Sequence, residues 1–226
     1  MSKSNGYRRS AHYKQKHLTR RTKKNRTQSV EPAADRREEP IRIIGGSLRR
    51  RQLEYSGELR TRPMKERVRE SVFNLIGSDA VGKYAVDLFA GTGALGLEAI
   101  SRGAASAVFV EQHFPTADLI RQNVRSLGIE DRSEVVAANT FIWARQHPQP
   151  ANAPWLVFCS PPYAFYVERK EEMLRMLADL INRSPAGSIF VVESDTGFTP
   201  GDLLESSEWD VRQYPPAQIA IHRKPM

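Results

Sequence analysis

The sequence predicts an α/β fold with a mostly parallel, seven-stranded sheet that ends in an antiparallel C-terminal hairpin. Three observations predict it. Short apolar runs alternate with amphipathic helical segments between residues 84 and 193. A glycine-rich turn joins the first of these runs directly to a helix, and Pro215-Pro216 separates the last two runs. Strands that alternate with helices imply a parallel sheet covered on both faces.

The predicted elements follow this alternation. The predicted strands cover residues 84–89, 107–111, 133–137, 155–159, 189–193, 209–214 and 218–222. The predicted intervening helices cover residues 94–102, 115–127, 141–145 and 170–182. Upstream, residues 41–44 and 48–55 flank Gly45-Gly46 and predict a small β-hairpin. A helix is predicted from about Pro63, which suits a first helical turn, to Ile76.

Charge divides the chain into a tail and a globular part. Residues 1–40 hold 12 Lys and Arg against four Asp and Glu, so the whole net charge of +8 lies there, and the remainder has 22 of each sign. The tail has too little apolar surface to offset the entropy of ordering, so we expect it to be disordered when free. A polyanion is its natural partner, although a purely solubilising tail and a transit peptide are alternatives. We expect residues 41–80 to form a hairpin and a helix of their own, and residues 81–226 to form the main α/β domain.

Composition excludes several classes of protein. No window approaches the ~18 consecutive apolar residues of a membrane span, and the N-terminus lacks the apolar stretch of a secretory signal. Cys159 is the single cysteine, which excludes an internal disulfide and suits a reducing cytoplasm. The five histidines are scattered and lack zinc-ligand spacing, so no metal is predicted.

A glycine loop after the first strand predicts an adenosine-containing cofactor. The sequence DLFAGTGALG, residues 87–96, leads from strand to helix, and its glycines let a ligand approach bare backbone. Glu111 follows at the end of the second strand, where a ribose-binding carboxylate belongs. Asn139 follows the third strand, where its side chain would either bind adenine or cap the next helix. The loop alone is compatible with NAD or with S-adenosylmethionine.

Three features favour S-adenosylmethionine. The Asp87-x-Phe89-x-Gly91-x-Gly93 pattern resembles methyltransferase motif I, and a carboxylate is favourable beside a sulfonium but repulsive beside a pyrophosphate. A base-binding motif lies after the fourth strand. The chain also has little length left for a separate hydride-acceptor domain. Tyr166 and Lys170 match a dehydrogenase spacing, but such a pair arises easily by chance. The motif I pattern, together with the ends of the next two strands, makes Asp87, Gly91, Gly93, Glu111 and Asn139 the expected cofactor-binding residues.

The base-binding motif is Ser160-Pro161-Pro162-Tyr163, at the end of an apolar strand. Adjacent prolines stiffen the loop and remove two N–H donors. An exocyclic amine of a base is a poor nucleophile because its lone pair is delocalised into the ring. The Ser160 hydroxyl and the Pro161 carbonyl could accept its N–H groups and direct the lone pair at a methyl donor, while Tyr163 stacks on the base. The alternative is a rigid turn, but ligands of parallel sheets bind at this end of the strands.

From about residue 41 onward, the chain resembles the bacterial 16S rRNA guanine-N2 methyltransferases of the small ribosomal subunit. The matching stretches are IRIIGG (41–46), TRP (61–63), RVRE (67–70) with Phe73-Asn74, DLFAGTGALGLEAISR (87–102), Glu111, Asn139, PPY (161–163) and VES (192–194). The resemblance implies a Rossmann-like class I S-adenosylmethionine-dependent methyltransferase that modifies the N2 amine of one guanine in 16S rRNA. It also implies a substrate in assembled or assembling subunits and a monomeric enzyme. The cofactor contacts that it implies are Phe89, Ala90, Gly91, Thr92, Gly93, Glu111 and Asn139.

Two departures from the family pattern keep alternatives open. The family usually has Asp or Asn before the two prolines, whereas this chain has Ser160, which is similar to the motif of cytosine-N4 DNA methyltransferases. An amino-methyltransferase acting on DNA at cytosine N4 or adenine N6, or a non-catalytic RNA-binding assembly factor, therefore remains an alternative. The basic extension of residues 1–40 is the second departure.

RNA contacts are expected from the tail and from residues 41–70, which hold nine basic residues against four acidic ones. The alternative is a solvated face with internal ion pairs. The expected RNA-binding residues are Arg42, Arg49, Arg50, Arg51, Arg62, Arg67 and Arg69.

Overall fold

A computed structural model describes residues 40–57, 64–146, 153–198 and 209–226. Every described residue belongs to one compact unit, which covers residues 38–226. The predicted tail, apart from Pro40, therefore lies outside the described residues. Arg62 and Pro63 lie outside them as well.

Seven strands and six α-helices make up the described part of the chain. The strands are β1 (Tyr84–Leu88), β2 (Ser106–Glu111), β3 (Ser133–Ala137), β4 (Trp155–Cys159), β5 (Ile189–Asp195), β6 (Trp209–Tyr214) and β7 (Ala217–Arg223). The helices are α1 (Glu66–Ile76), α2 (Ala94–Ser101), α3 (Phe114–Leu127), α4 (Thr140–Gln146), α5 (Phe165–Glu168) and α6 (Lys170–Arg183). Short 3-10 turns lie at Gly77–Ala80 and Glu130–Arg132.

The strands form one sheet in the order β3-β2-β1-β4-β5-β7-β6. The first five pair in parallel, and β7 pairs antiparallel with both β5 and β6. This confirms the predicted parallel sheet with an antiparallel C-terminal hairpin. The strand order reverses between β1 and β4, and ligands of such sheets bind beside that point, at the carboxyl ends of the strands.

Helices cover both faces of the sheet because both faces of its central strands are apolar. One core joins side chains of α1, α2 and α3 to one face, and a second core joins α4 and α6 to the other. All five residues of β4 are buried. No helix of the described ranges is long and apolar enough to cross a membrane.

The segment of residues 41–55 forms less sheet than the sequence predicts. The expected strand pair is reduced to one antiparallel bridge, Arg42 with Gln52, with backbone hydrogen bonds from Ile43 to Arg51 and from Leu53 to Ile41 on either side of it. The segment instead packs on the main core through Ile43 and Leu53, which are 1% and 5% exposed. Burial against the helices stabilises this segment, so extended strand pairing is not required to hold it.

Other differences are confined to element ends and short turns. Helix α5 lies directly after Ser160–Tyr163 and is absent from the predicted elements, because a helix of only four residues is too short for its hydrophobic period to be read. Strand β5 continues to Asp195, two residues further than predicted.

Candidate active site

The carboxyl ends of β1 and β4 lie side by side, because Leu88 pairs with Cys159 in the sheet. The glycine loop that follows β1 and the proline loop that follows β4 are consequently neighbours. Cys159 also pairs with Val192, which places the proline loop beside the end of β5. The topology thus brings together the two motifs that the sequence singled out, although about 70 positions separate them.

The glycine loop has the unusual backbone that a tight strand-to-helix turn requires. Phe89, Gly91 and Gly93 have positive φ angles of 57°, 53° and 74°. A left-handed conformation is costly for a side chain such as that of Phe89, so the surrounding structure must hold it. Helix α2 begins directly after Gly93, and the loop lies at its N-terminal end.

Asp87 is buried beneath this loop, with 1% of its surface exposed. Its Oδ2 accepts a 2.9 Å hydrogen bond from the Gly96 amide of α2. Burial raises the pKa of Asp87 to about 8; the hydrogen bond from Gly96 opposes that shift and the nearby charge of Glu111 adds to it. In this structure Asp87 holds the helix against the strand end.

Glu111 secures the loop from the neighbouring strand. Its Oε2 accepts a 2.9 Å hydrogen bond from the Gly91 amide, and its Oε1 accepts a 2.8 Å bond from the His113 amide. The side chain is only partly buried. The carboxylate that the sequence predicts to bind a ribose therefore orders the glycine loop in this structure, and its contact with a ribose stays a prediction.

Asn139 caps helix α4. Its Oδ1 accepts hydrogen bonds from the amides of Phe141 and Ile142, at 3.0 and 3.3 Å. Of the two roles that the sequence left open, the structure displays the capping role. Binding of adenine stays a prediction.

An aromatic cluster that the sequence did not predict lies next to these loops. The Phe89 ring contacts Phe141 and Phe165 edge-on, with centroids 5.6 and 5.9 Å apart. The Arg169 guanidinium stacks over the Phe141 ring at 3.9 Å. Each of these residues comes from a different loop or helix, so only the assembled fold could reveal the cluster.

The proline loop is bound to the end of β5 through Glu193. The Ser160 hydroxyl donates to Glu193 Oε2, and the Tyr163 hydroxyl donates to Oε1 over 3.0 Å. Tyr166 donates to the Glu193 backbone carbonyl over 2.7 Å. Pro161 is buried and Pro162 is exposed. Glu193 was not among the predicted site residues; its signal was a charged residue at the end of the apolar run IFVV, within the quoted VES stretch.

The expected RNA-binding arginines divide into exposed and buried ones. Arg49, Arg50, Arg51 and Arg67 are all exposed. Arg42 is exposed but pairs with Glu66 over 2.9 Å, and Arg51 also donates to the Ser126 carbonyl.

The position of Arg69 contradicts the prediction that this residue binds RNA. Arg69 is 1% exposed, and its guanidinium donates to the Arg42 carbonyl over 2.6 Å. Helix α1 turns this position toward the core, so Arg69 ties the N-terminal segment to α1 and does not face a nucleic acid.

Comparison with known proteins gives a family match over most of the chain. A family profile described as Conserved hypothetical protein 95 matches residues 41–221. The chain is 30% identical to YlbH of Bacillus subtilis (strain 168) over 188 residues, which cover 81% of this chain and 99% of YlbH. It is 37% identical to ribosomal RNA small subunit methyltransferase D of Escherichia coli (strain K12) over 139 residues, which cover 62% of this chain and 67% of that protein.

Solved structures share the architecture. The protein yhhF of Escherichia coli superposes with a TM-score of 0.67 at 29% identity, covering 82% of this chain and 98% of yhhF. The T. thermophilus 16S rRNA N2 methyltransferase RsmC, solved with AdoMet and guanosine, superposes with a TM-score of 0.61 at 18% identity. That match covers 82% of this chain and 49% of RsmC, and it speaks for the fold alone.

Proposed function

The chain belongs to the family described as Conserved hypothetical protein 95, which includes methyltransferases of small-subunit ribosomal RNA, and on that premise we propose that it methylates the N2 amine of a guanine in 16S rRNA. The observation that supports this proposal most directly is that the glycine loop and the Ser160–Tyr163 loop lie side by side at the carboxyl edge of the sheet. One loop suits the methyl donor and the other suits a planar base with an amino group.

S-adenosylmethionine is the methyl donor, as the family membership implies. When bound, it would supply a methyl group on a positively charged sulfur: the amine nitrogen would form the new N–C bond, the C–S bond would break with its electron pair staying on sulfur, and the amine would release one proton to solvent. The residues present fit such a group: the positive φ angles of Gly91 and Gly93 expose backbone, and the Glu111 carboxylate beside Gly91 gives the loop a negative potential. Asp87 would support the loop from beneath, and Phe89, Ala90 and Thr92 would complete it around the donor. Asn139 Nδ2 would contact the adenine while Oδ1 caps α4.

The proline loop would hold the substrate amine. The Ser160 hydroxyl and the Pro161 carbonyl each accept one N–H of the amine, which draws the nitrogen lone pair out of conjugation with the ring. The Tyr163 ring is anchored through its hydroxyl and stacks on the base. RsmC, which shares this fold, was solved with AdoMet and guanosine.

The exposed arginines of residues 42–67 would bind the RNA backbone. Arg49, Arg50 and Arg51 form a compact basic turn on the N-terminal segment, which contacts α2 directly. Phosphate contacts of this kind hold a substrate in register and carry no sequence information themselves. The basic residues 1–40 would add to the same attraction, and the protein would act as a cytoplasmic monomer on the small subunit or on its assembly intermediate.

Incubation with isotope-labelled S-adenosylmethionine tests the proposal. Small ribosomal subunits, naked 16S rRNA and duplex DNA are offered in parallel, and the labelled nucleoside is identified by mass spectrometry after digestion. We expect N2-methylguanosine from rRNA. Label on cytosine N4 or adenine N6 of DNA would contradict the proposal in favour of a DNA enzyme. Tight subunit binding without label would favour a non-catalytic assembly factor.

A further inference from the structure

Glu193 is the residue on which the proline loop converges. It is 9% exposed and lies near the carboxyl end of β5. Both of its carboxylate oxygens accept hydroxyl protons, one from Ser160 and the other from Tyr163. Its backbone carbonyl accepts a third hydroxyl proton, from Tyr166. One residue of β5 thus fixes the proline loop and the helix that follows it.

The Glu193 carboxylate fixes the direction of the hydrogen bonds from Ser160 and Tyr163. An ionised carboxylate only accepts, whereas a hydroxyl both donates and accepts. The protons of Ser160 and Tyr163 must therefore point at Glu193. The lone pairs of Ser160 Oγ are then left for a partner on the other side. A serine without this neighbour could equally turn its proton toward the substrate and repel an N–H group.

The negative charge of Glu193 also strengthens Ser160 as an acceptor. Hydrogen bonds in a chain polarise one another, and those to an ionised group are about twice as strong as neutral ones. Unlike an Asp side chain, Ser160 carries no charge of its own. Ser160 backed by Glu193 presents an oxygen acceptor with a charge close behind it, which one Asp side chain would supply alone.

We propose that Glu193 is a positioning residue for methyl transfer, which fixes the Ser160 hydroxyl as a hydrogen-bond acceptor for the exocyclic amine of the base. This rests on the proposed function and deepens it. Glu193 contacts neither the base nor the methyl donor; it acts through Ser160, and it fixes the ring of Tyr163 at the same time. Serine before the two prolines is thereby compatible with amino methylation.

The first test replaces the acceptor-only group by Glu193→Gln in the full-length protein. The amide can donate to Ser160 Oγ and so occupy the lone pair that the amine needs. We expect kcat on small subunits to fall roughly 100-fold, with the KM for S-adenosylmethionine and the Kd for S-adenosylhomocysteine close to those of the unmutated protein. Glu171→Gln, on an exposed ion pair with Arg175, is the matched control and should leave all three unchanged.

The second test separates positioning from a structural role. Ser160→Asn introduces a side-chain carbonyl, which can only accept a hydrogen bond, whether residue 193 is Glu or Gln. In that background Glu193→Gln should lower kcat by only a few-fold. An equal loss in both backgrounds, or a parallel loss of S-adenosylhomocysteine binding, would overturn the proposal. If Glu193→Gln melts too early to assay, Glu193→Asp keeps the acceptor and should stay more active than Ser160→Ala; equal inactivity would also overturn it.

Failure of the role of Glu193 can be distinguished from failure of the proposed function. An active unmutated protein with an equally active Glu193→Gln variant would overturn the role of Glu193 alone. An unmutated protein that leaves small subunits unmethylated would overturn the function, and the role of Glu193 with it.

Discussion

The Glu98 carboxylate of α2 accepts a 2.7 Å hydrogen bond from the backbone amide of Ile44, 54 residues earlier in the chain. The other carboxylate oxygen accepts a 2.8 Å bond from the Gly45 amide and a 2.7 Å bond from Arg102. Glu98 is fully buried. A single buried carboxylate thus attaches the arginine-bearing N-terminal segment to the helix that follows the glycine loop.

Glu98→Gln should destabilise the protein strongly. The amide nitrogen would face either the Ile44 amide or the Gly45 amide with Arg102, and all of these are donors. At least one buried hydrogen bond is therefore broken, and the Arg102 guanidinium loses its charged partner. We expect the free energy of unfolding to fall by about 3 kcal/mol, measured by urea denaturation. The exposed Glu171→Gln should change it by less than about 0.5 kcal/mol. Similar losses of stability from the two substitutions would contradict the role of Glu98 in holding the N-terminal segment on α2.

Gly96→Ala should destabilise the protein even though Gly96 lies in a helix. Alanine gains about 1 kcal/mol over glycine in a helix interior. Here, however, the added Cβ would lie 2.4 Å from Cε1 of the fully buried Phe109 ring. Such overpacking costs about 1–3 kcal/mol, so we expect a net loss of stability in thermal unfolding. The penalty should shrink in a Phe109→Leu background; a stabilised Gly96→Ala protein would refute the close approach.

Asp87 should make stability depend on pH. Its pKa is raised to about 8 in the folded protein, against about 3.9 when unfolded. The folded state then binds the extra proton between these values, so the stabilisation is complete below about pH 4 and is lost as pH rises through 8. Asp87→Asn removes the titration. We expect the unmutated protein to lose on the order of a few kcal/mol relative to the variant between about pH 5 and 9.

The measurement is the difference in free energy of unfolding between the two proteins at each pH, because other titrating groups cancel in it. Parallel curves for the two proteins would show that Asp87 does not titrate in this range.

Cys159 should be inert in the folded protein. It is 1% exposed at the end of β4, and burial raises the pKa of its thiol well above the usual range. The thiolate is the reactive form, so an aromatic disulfide reagent should react at once in denaturant and very slowly in native buffer. Cys159→Ala with Val167→Cys, at a position 83% exposed, provides a reactive control. Fast native reaction of Cys159 would contradict the packing of β4.

The basic turn should contribute to the salt dependence of RNA binding. Changing Arg49, Arg50 and Arg51 to glutamine should weaken binding to 16S rRNA. The slope of log affinity against log salt should flatten by roughly 0.7–0.9 for each phosphate that the arginines no longer neutralise. The exposed Arg175→Gln on α6 is the control. An unchanged slope, measured by anisotropy over a salt series, would assign the arginines another role.

Local patterns in the sequence determined much of this protein. The run DLFAGTGALG predicted a strand, a tight turn and a helix, and β1 and α2 are found there. The apolar alternation predicted the parallel sheet, and Pro215-Pro216 predicted the C-terminal turn. Each of these signals lies within about ten residues, where backbone preference and hydrophobic period act directly.

Tertiary structure alone decided which side chains became partners. Ser160 meets Glu193 because β4 and β5 are neighbours in a given register, and Ile44 meets Glu98 because the N-terminal segment packs on α2. The rotation of α1 about its axis places Arg69 in the core and leaves Arg67 exposed, although both lie in the same basic stretch of sequence and both were predicted to bind RNA. Strand order, register and helix rotation come from packing the whole core at once, and no short stretch of sequence contains that information.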